Sequence, residues 1–104
     1  MSSSSNEDKR KSPRIALILP VVITWSRKDG LRVMEHAETA DVSAQGALLR
    51  STTQLSRAVE VTLIRPGTGQ SRKGRVARSR QDETGQSFQV GIELVMPDDN
   101  FWET

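Results

Sequence analysis

The sequence has no cysteine and one histidine, His36, in 104 residues. No cysteine means no disulfide, no thiolate metal site and no thiol nucleophile. A zinc site needs about three or four good ligands, which this composition does not supply. There is no tyrosine, and the aromatic residues are Trp25, Phe88, Phe101 and Trp102 alone. A binder of single-stranded nucleic acid usually stacks bases along an exposed aromatic row, so this scarcity argues against one. No apolar run approaches the ~20 residues of a membrane span. The N-terminal charges are not followed by the apolar segment of a secretory signal. The expectation is a soluble, cytoplasmic protein of one domain.

Charge is plentiful but nearly balanced. Fifteen basic residues face thirteen acidic ones, for a net charge of +2. A protein that coats duplex DNA usually carries a larger imbalance. Eleven of the fifteen cations are arginine. Arginine suits forked, bidentate contacts to phosphate or guanine. GC-rich coding produces the same bias, so the bias decides nothing alone.

The chain starts with "MSSSSNEDK", small and polar, which is expected to be disordered over residues 1–9. From Ile15 the texture changes to "IALILPVVITW". Ile15, Leu17, Leu19, Val21, Ile23 and Trp25 recur with a period of two, which predicts a strand with one face in a core. Pro20 implies an edge, a bulge or a corner in that strand. "RKDG" ends in Asp-Gly, a hairpin signal. A second strand is expected over Leu31 to Ala40, followed by "DVSAQG" and the short apolar "ALLR". Val59, Val61 and Leu63 mark another strand, closed by the turn "RPGTGQ". "RKGRVARSR" is the least hydrophobic strand. Simple alternation there puts Arg72, Arg78 and Arg80 on the face of Val76. After the turn "DETG", Phe88, Val90, Ile92 and Leu94 share one face of a clean strand. In "MPDDNFWET", Asp98 or Asp99 is expected to cap a single helical turn that tucks Phe101 and Trp102 against the body. About six short strands with tight turns predict an all-β barrel or sandwich.

Two stretches carry the functional reading. Arg10-Lys-Ser-Pro-Arg14 precedes the first strand, and Asp41-Val-Ser43-Ala-Gln-Gly46 follows a hairpin. Each is common by itself: Asp-x-Ser-x-x-Gly is also an ordinary turn in which side chains bond nearby N–H groups. Together, in this order, they resemble the PilZ domain family, bacterial receptors for the second messenger cyclic di-GMP. The resemblance covers residues 10 to about 102, including "QVGIELV" and the short "FW" ending. It implies a six-stranded antiparallel β-barrel over residues 10–104 with a disordered N-terminal arm. It implies cyclic di-GMP as ligand, with no other cofactor, and Arg10, Arg14, Asp41, Ser43 and Gly46 as its contacts. Asp41 and Ser43 would bond guanine edges or a phosphate, and Gly46 would let the ligand approach the backbone.

The chemistry suits that ligand. Cyclic di-GMP carries two phosphate charges and two guanines. Arginine supplies cation, bidentate donor and flat stacking surface in one side chain. Four extended residues reach about 13 Å, so Arg10 and Arg14 could grip separated parts of one ligand. Pro13 has a fixed φ and biases Ser12 toward extended geometry. An arm that orders over the barrel only with ligand would act as a switch, and its ordering would cost about 1–2 kcal/mol per residue. Arg78 and Arg80 are candidate supplementary contacts. Lys9 and Lys11 read as solvated charges.

His36 reads as a strand-surface residue. Neither it nor Ser43 has the partners of a catalytic set, so no enzyme is expected. The implied output is an unidentified effector protein. Two alternatives stay open: a PilZ-like interaction module with no nucleotide affinity, and a small nucleic-acid-binding barrel, which the charge balance and few aromatics argue against.

Overall fold

The computed structural model describes residues 13–98 and 100–103. The segment 1–12, including Arg10 and the expected disordered tail, lies outside the described residues, as does Asp99.

The described chain is all β: β1 (Ile15–Ala16), β2 (Pro20–Ser26), β3 (Arg32–Ser43), β4 (Gly46–Ser51), β5 (Glu60–Ile64), β6 (Ser71–Gln81) and β7 (Phe88–Leu94). Every pairing is antiparallel. The order β3-β2-β5-β6-β7-β4 closes through a β3–β4 pairing, so six strands form a barrel without free edges. β1 is a short seventh strand laid along β3, with Ile15 opposite Val42 and Ala16 opposite Asp41.

The expected alternation fills the barrel. Val21, Ile23 and Trp25 from β2 meet Val61 and Leu63 from β5 and Val90, Ile92 and Leu94 from β7, all buried. The first apolar run is not one strand, however. It breaks at 17–19, and Ile15 is exposed. Pro20, which has no N–H to donate, is the first residue of β2, at the corner. The Thr39 hydroxyl bridges the break by accepting from Leu19 N at 2.8 Å and donating to Leu17 O.

Two β-bulges decide which side chains face out. On β3 the register shifts between Thr39 and Asp41. Ala37 and Thr39 point inward, yet after the extra residue it is Val42 that is buried. Asp41 and Ser43 therefore face outward. On β6 the shift falls between Val76 and Arg78. Val76 is buried, while Arg78 and Arg80 are exposed on the opposite face. This corrects the simple alternation, because one extra residue reverses every later side chain.

No helix occurs among the described residues. The C-terminal stretch is a turn: Glu103 N donates to Asn100 O at 3.2 Å, an i→i+3 bond, and Asp98 Oδ1 accepts from Asn100 N at 2.9 Å. One such bond closes a turn without starting an i→i+4 ladder. The expected packing is present: Phe101 and Trp102 are buried, edge to face at 4.7 Å. Arg65, itself buried, donates to Phe101 O and Glu103 O. Arg72 grips Asp98 Oδ2 through Nε at 2.8 Å and Nη2 at 2.6 Å and lies 5.1 Å above the Phe101 ring. These two arginines hold the chain end rather than a ligand.

Candidate functional site

The strand registers put Asp41, Ser43 and Gly46 of the second motif on two neighbouring lateral rows of the outer wall. One row runs Asp41 (β3), Leu48 (β4), Gly91 (β7), Arg78 (β6). The next runs Ser43, Gly46, Glu93, Arg75 over the same strands. An open cleft of about 220 Å³ lies over these rows. Arg14, Asp41, Ser43, Gly46, Arg78 and Glu93 all line it.

Arg14 reaches the cleft because β1 docks beside Asp41. Its Nη1 lies 3.6 Å from Asp41 Oδ1. The Arg14 side chain is 63% exposed and that of Asp41 26%. A long, wet ion pair of this kind contributes little stability, so the guanidinium is free to turn toward another anion.

The turn at the β3–β4 hairpin is built for rigidity. Ser43 Oγ accepts from Gln45 N at 3.1 Å. Its three successive carbonyls are each bound by the last part of the chain. Ser43 O accepts from Trp102 Nε1 at 3.0 Å, Ala44 O from Asp98 N at 2.9 Å, and Gln45 O from Leu94 N at 2.7 Å.

Gly46 has a structural reason to be glycine. A Cβ there would lie 1.9 Å from Ile92 O and 2.9 Å from Ile92 C, both backbone atoms. Close strand packing therefore accounts for it without any ligand. Gly91 is a residue that sequence reasoning missed. A Cβ there would meet Arg78 Cγ at 3.1 Å and Nε at 3.3 Å, so the Arg78 side chain lies across the bare glycine. A glycine inside an otherwise clean strand was the available signal, since it marks a close approach.

Arg80 is outside the cleft. It lines a neighbouring hollow with Leu48 and Arg78, and its Nη2 and Nε stand 3.3 and 3.4 Å from Gln89 Oε1. Of the two supplementary candidates, the structure brings only Arg78 to the motif residues. No group of three or more His, Cys, Asp or Glu side chains able to hold a metal occurs among the described residues.

Fold and cleft define a small all-β barrel domain with an open polar site on its outer wall. The sequence model of the PilZ domain matches residues 8–103, and the chain belongs to that family. Solved structures share the fold. One is MrkH of K. pneumonia in complex with c-di-GMP, at TM-score 0.59 and 18% identity, covering 82% of this chain and 43% of that one. Another is the PilZ domain of YcgR from Escherichia coli with c-di-GMP, at TM-score 0.56 and 13% identity, covering 84% and 78%. A second MrkH structure, described as a c-di-GMP-dependent transcription regulatory factor, matches at TM-score 0.56 and 18% identity. The chain spans less than half the length of the MrkH chains, 43% in both cases. No curated protein sequence matches this chain.

Proposed function

We propose that this domain is a receptor for cyclic di-GMP and relays its presence to an effector protein. The observation that carries the reading is the convergence on one cleft of the barrel wall of Arg14 with Asp41, Ser43 and Arg78, the last three on two adjacent strand rows. Cations for phosphate, a carboxylate for the donor edge of guanine and a flat guanidinium for a base face are the set this ligand needs. Family membership and the c-di-GMP complexes of MrkH and YcgR support the same ligand.

The cleft is smaller than the roughly 300–1,000 Å³ pockets that enclose drug-sized ligands. A cyclic dinucleotide would lie across it with one face open. Arg10, four residues ahead of Arg14, is on the segment that would cover that face. Binding would order this arm, and the ordered arm would offer the effector a changed surface. The reading contains no catalytic step.

Titration calorimetry with cyclic di-GMP tests it on the wild-type chain, Arg10→Ala, Arg14→Ala and the paired control Lys9→Ala/Lys11→Ala. Binding should be nearly abolished by either arginine substitution and weakened slightly in the lysine control. No binding by the wild type would refute the receptor and leave a nucleotide-independent interaction module. A steeply salt-dependent affinity for oligonucleotides, without guanine preference, would point to a nucleic-acid-binding barrel.

A further inference from the structure

We infer that Glu93 selects guanine at this site. The inference rests on the receptor reading above and adds a specificity-determining residue outside both sequence motifs.

Glu93 is the exposed residue of β7 that stands in register with Gly46 on one side and Arg75 on the other. It shares a lateral row with Ser43 and lines the same cleft as Arg14 and Arg78. On β7 it is two positions from Gly91, across which the Arg78 side chain lies. Alternate residues of a strand are about 6.8 Å apart on one face. A base laid on the Arg78 guanidinium would therefore present an edge toward Glu93.

An ionised carboxylate only accepts hydrogen bonds. On the wall of a site for a dianion it repels the phosphates, unless the ligand brings donors to it. Guanine brings two side by side, N1–H and the N2 amino group. Adenine presents a bare N1 acceptor at the corresponding edge, which the carboxylate would repel. Asp41, the other carboxylate of the cleft, has Arg14 beside it at 3.6 Å, and the ligand's two guanines leave one for each carboxylate. Glu93 is two strands away, about 10 Å by strand spacing. Among the described residues it forms no ion pair, although Arg75 stands opposite it in the ladder.

The experiment measures affinity for cyclic di-GMP and for its adenine counterpart, cyclic di-AMP, on the wild type, Glu93→Ala and Glu93→Gln. Circular dichroism of each confirms folding. Simple charge repulsion predicts that removing Glu93 tightens both ligands. Guanine reading predicts the opposite sign for one of them. Glu93→Ala should weaken cyclic di-GMP by about 10- to 100-fold, as expected for loss of a bidentate base contact. Cyclic di-AMP should be unchanged or tighter. Glu93→Gln should fall between, since its amide keeps one acceptor oxygen for guanine but turns its NH2 group toward the other donor. A wild type that binds cyclic di-GMP, with a Glu93→Ala variant of unaltered guanine-to-adenine ratio, overturns the role of Glu93 and leaves the receptor standing. A wild type that binds neither ligand overturns both.

Discussion

Trp102 Nε1 donates to Ser43 O at 3.0 Å, tying the end of the chain to the second motif across 59 positions. The Ala44 and Gln45 carbonyls are bound in the same way, by Asp98 N and Leu94 N. With its carbonyls taken, the turn has little freedom to rotate. Arg65 and Arg72 fix the bracing segment in turn. A site gains precision when a supporting layer locks its side chains.

Replacing Trp102 by Phe keeps most of the buried ring and removes the donor. Stability should fall by about 1 kcal/mol, the usual worth of one hydrogen bond, read from urea unfolding. Affinity for cyclic di-GMP should fall several-fold, because the turn must then be ordered by the ligand. Full affinity at reduced stability would show that the brace supports the fold and not the site.

Gly46→Ala should be severe for a reason unrelated to ligand. Its Cβ would collide with the Ile92 carbonyl, and both partners are backbone in a closed barrel. A loss of 3 kcal/mol or more is expected, above the usual ~1–3 kcal/mol of overpacking. Circular dichroism and urea melts read it. A variant as stable as the wild type would mean that β4 and β7 separate easily. Lost binding in this variant would report unfolding.

Much of the barrel was readable from alternation. Val21, Ile23 and Trp25, and likewise Val90, Ile92 and Leu94, face the core as their period of two requires. The bulges at Ala40 and Ala77 were not readable, since neither alanine carries a signal and a bulge shows only in how two strands pair. That is why Arg78 and Arg80 fell on the wrong face. Arg65 and Arg72 looked like any other cation in an arginine-rich chain; their partners arrive from more than twenty residues away. Arg14 and Asp41 were legible as a pair of motifs, but their approach through β1 was not.

Beyond the β6 bulge the two supplementary arginines share the outer face, yet their surroundings differ. Arg78 enters the cleft and Arg80 leans on Gln89. Arg78→Ala should weaken cyclic di-GMP by about tenfold, equivalent to ~1.4 kcal/mol. Arg80→Ala should change it by less than about twofold. Gly91→Val, which displaces the Arg78 side chain, should reproduce most of the Arg78→Ala effect. Equal losses at Arg78 and Arg80 would contradict the placement of Arg78, and not Arg80, in the cleft. Calorimetry on all three variants decides the matter.

Thr39→Val tests the joint between β1 and β2. The hydroxyl satisfies both Leu19 N and Leu17 O in a nearly dry position, where Thr39 is only 2% exposed. Valine fills the space and leaves both groups without their partner, at about 1–3 kcal/mol for an unmet buried group. Because β1 carries Arg14 to Asp41, ligand affinity should fall with it. Amide hydrogen exchange should quicken at Leu17 and Leu19. Unchanged exchange there would exclude the joint as the cause.

Acid should expose two other contacts. Hydrogen bonds from the Ser87 hydroxyl, the Thr84 hydroxyl and the turn amides hold Asp82 down from 3.8 to about 2. Asp98 is also lowered, chiefly by its hydrogen bond from Arg72. In both cases the folded value lies below the unfolded one. Each carboxylate therefore contributes its stability in full above the unfolded value and loses it as pH falls through the folded value. For Asp82 the loss runs from near 3.8 down to about 2. Melting temperature should drop across that window in the wild type. Asp98→Asn should melt lower at neutral pH and show a shallower acid decline, since the Arg72 contact is already weakened. Wild-type and variant curves that stay parallel to the lowest pH would rule out Asp98 as a source of the acid sensitivity.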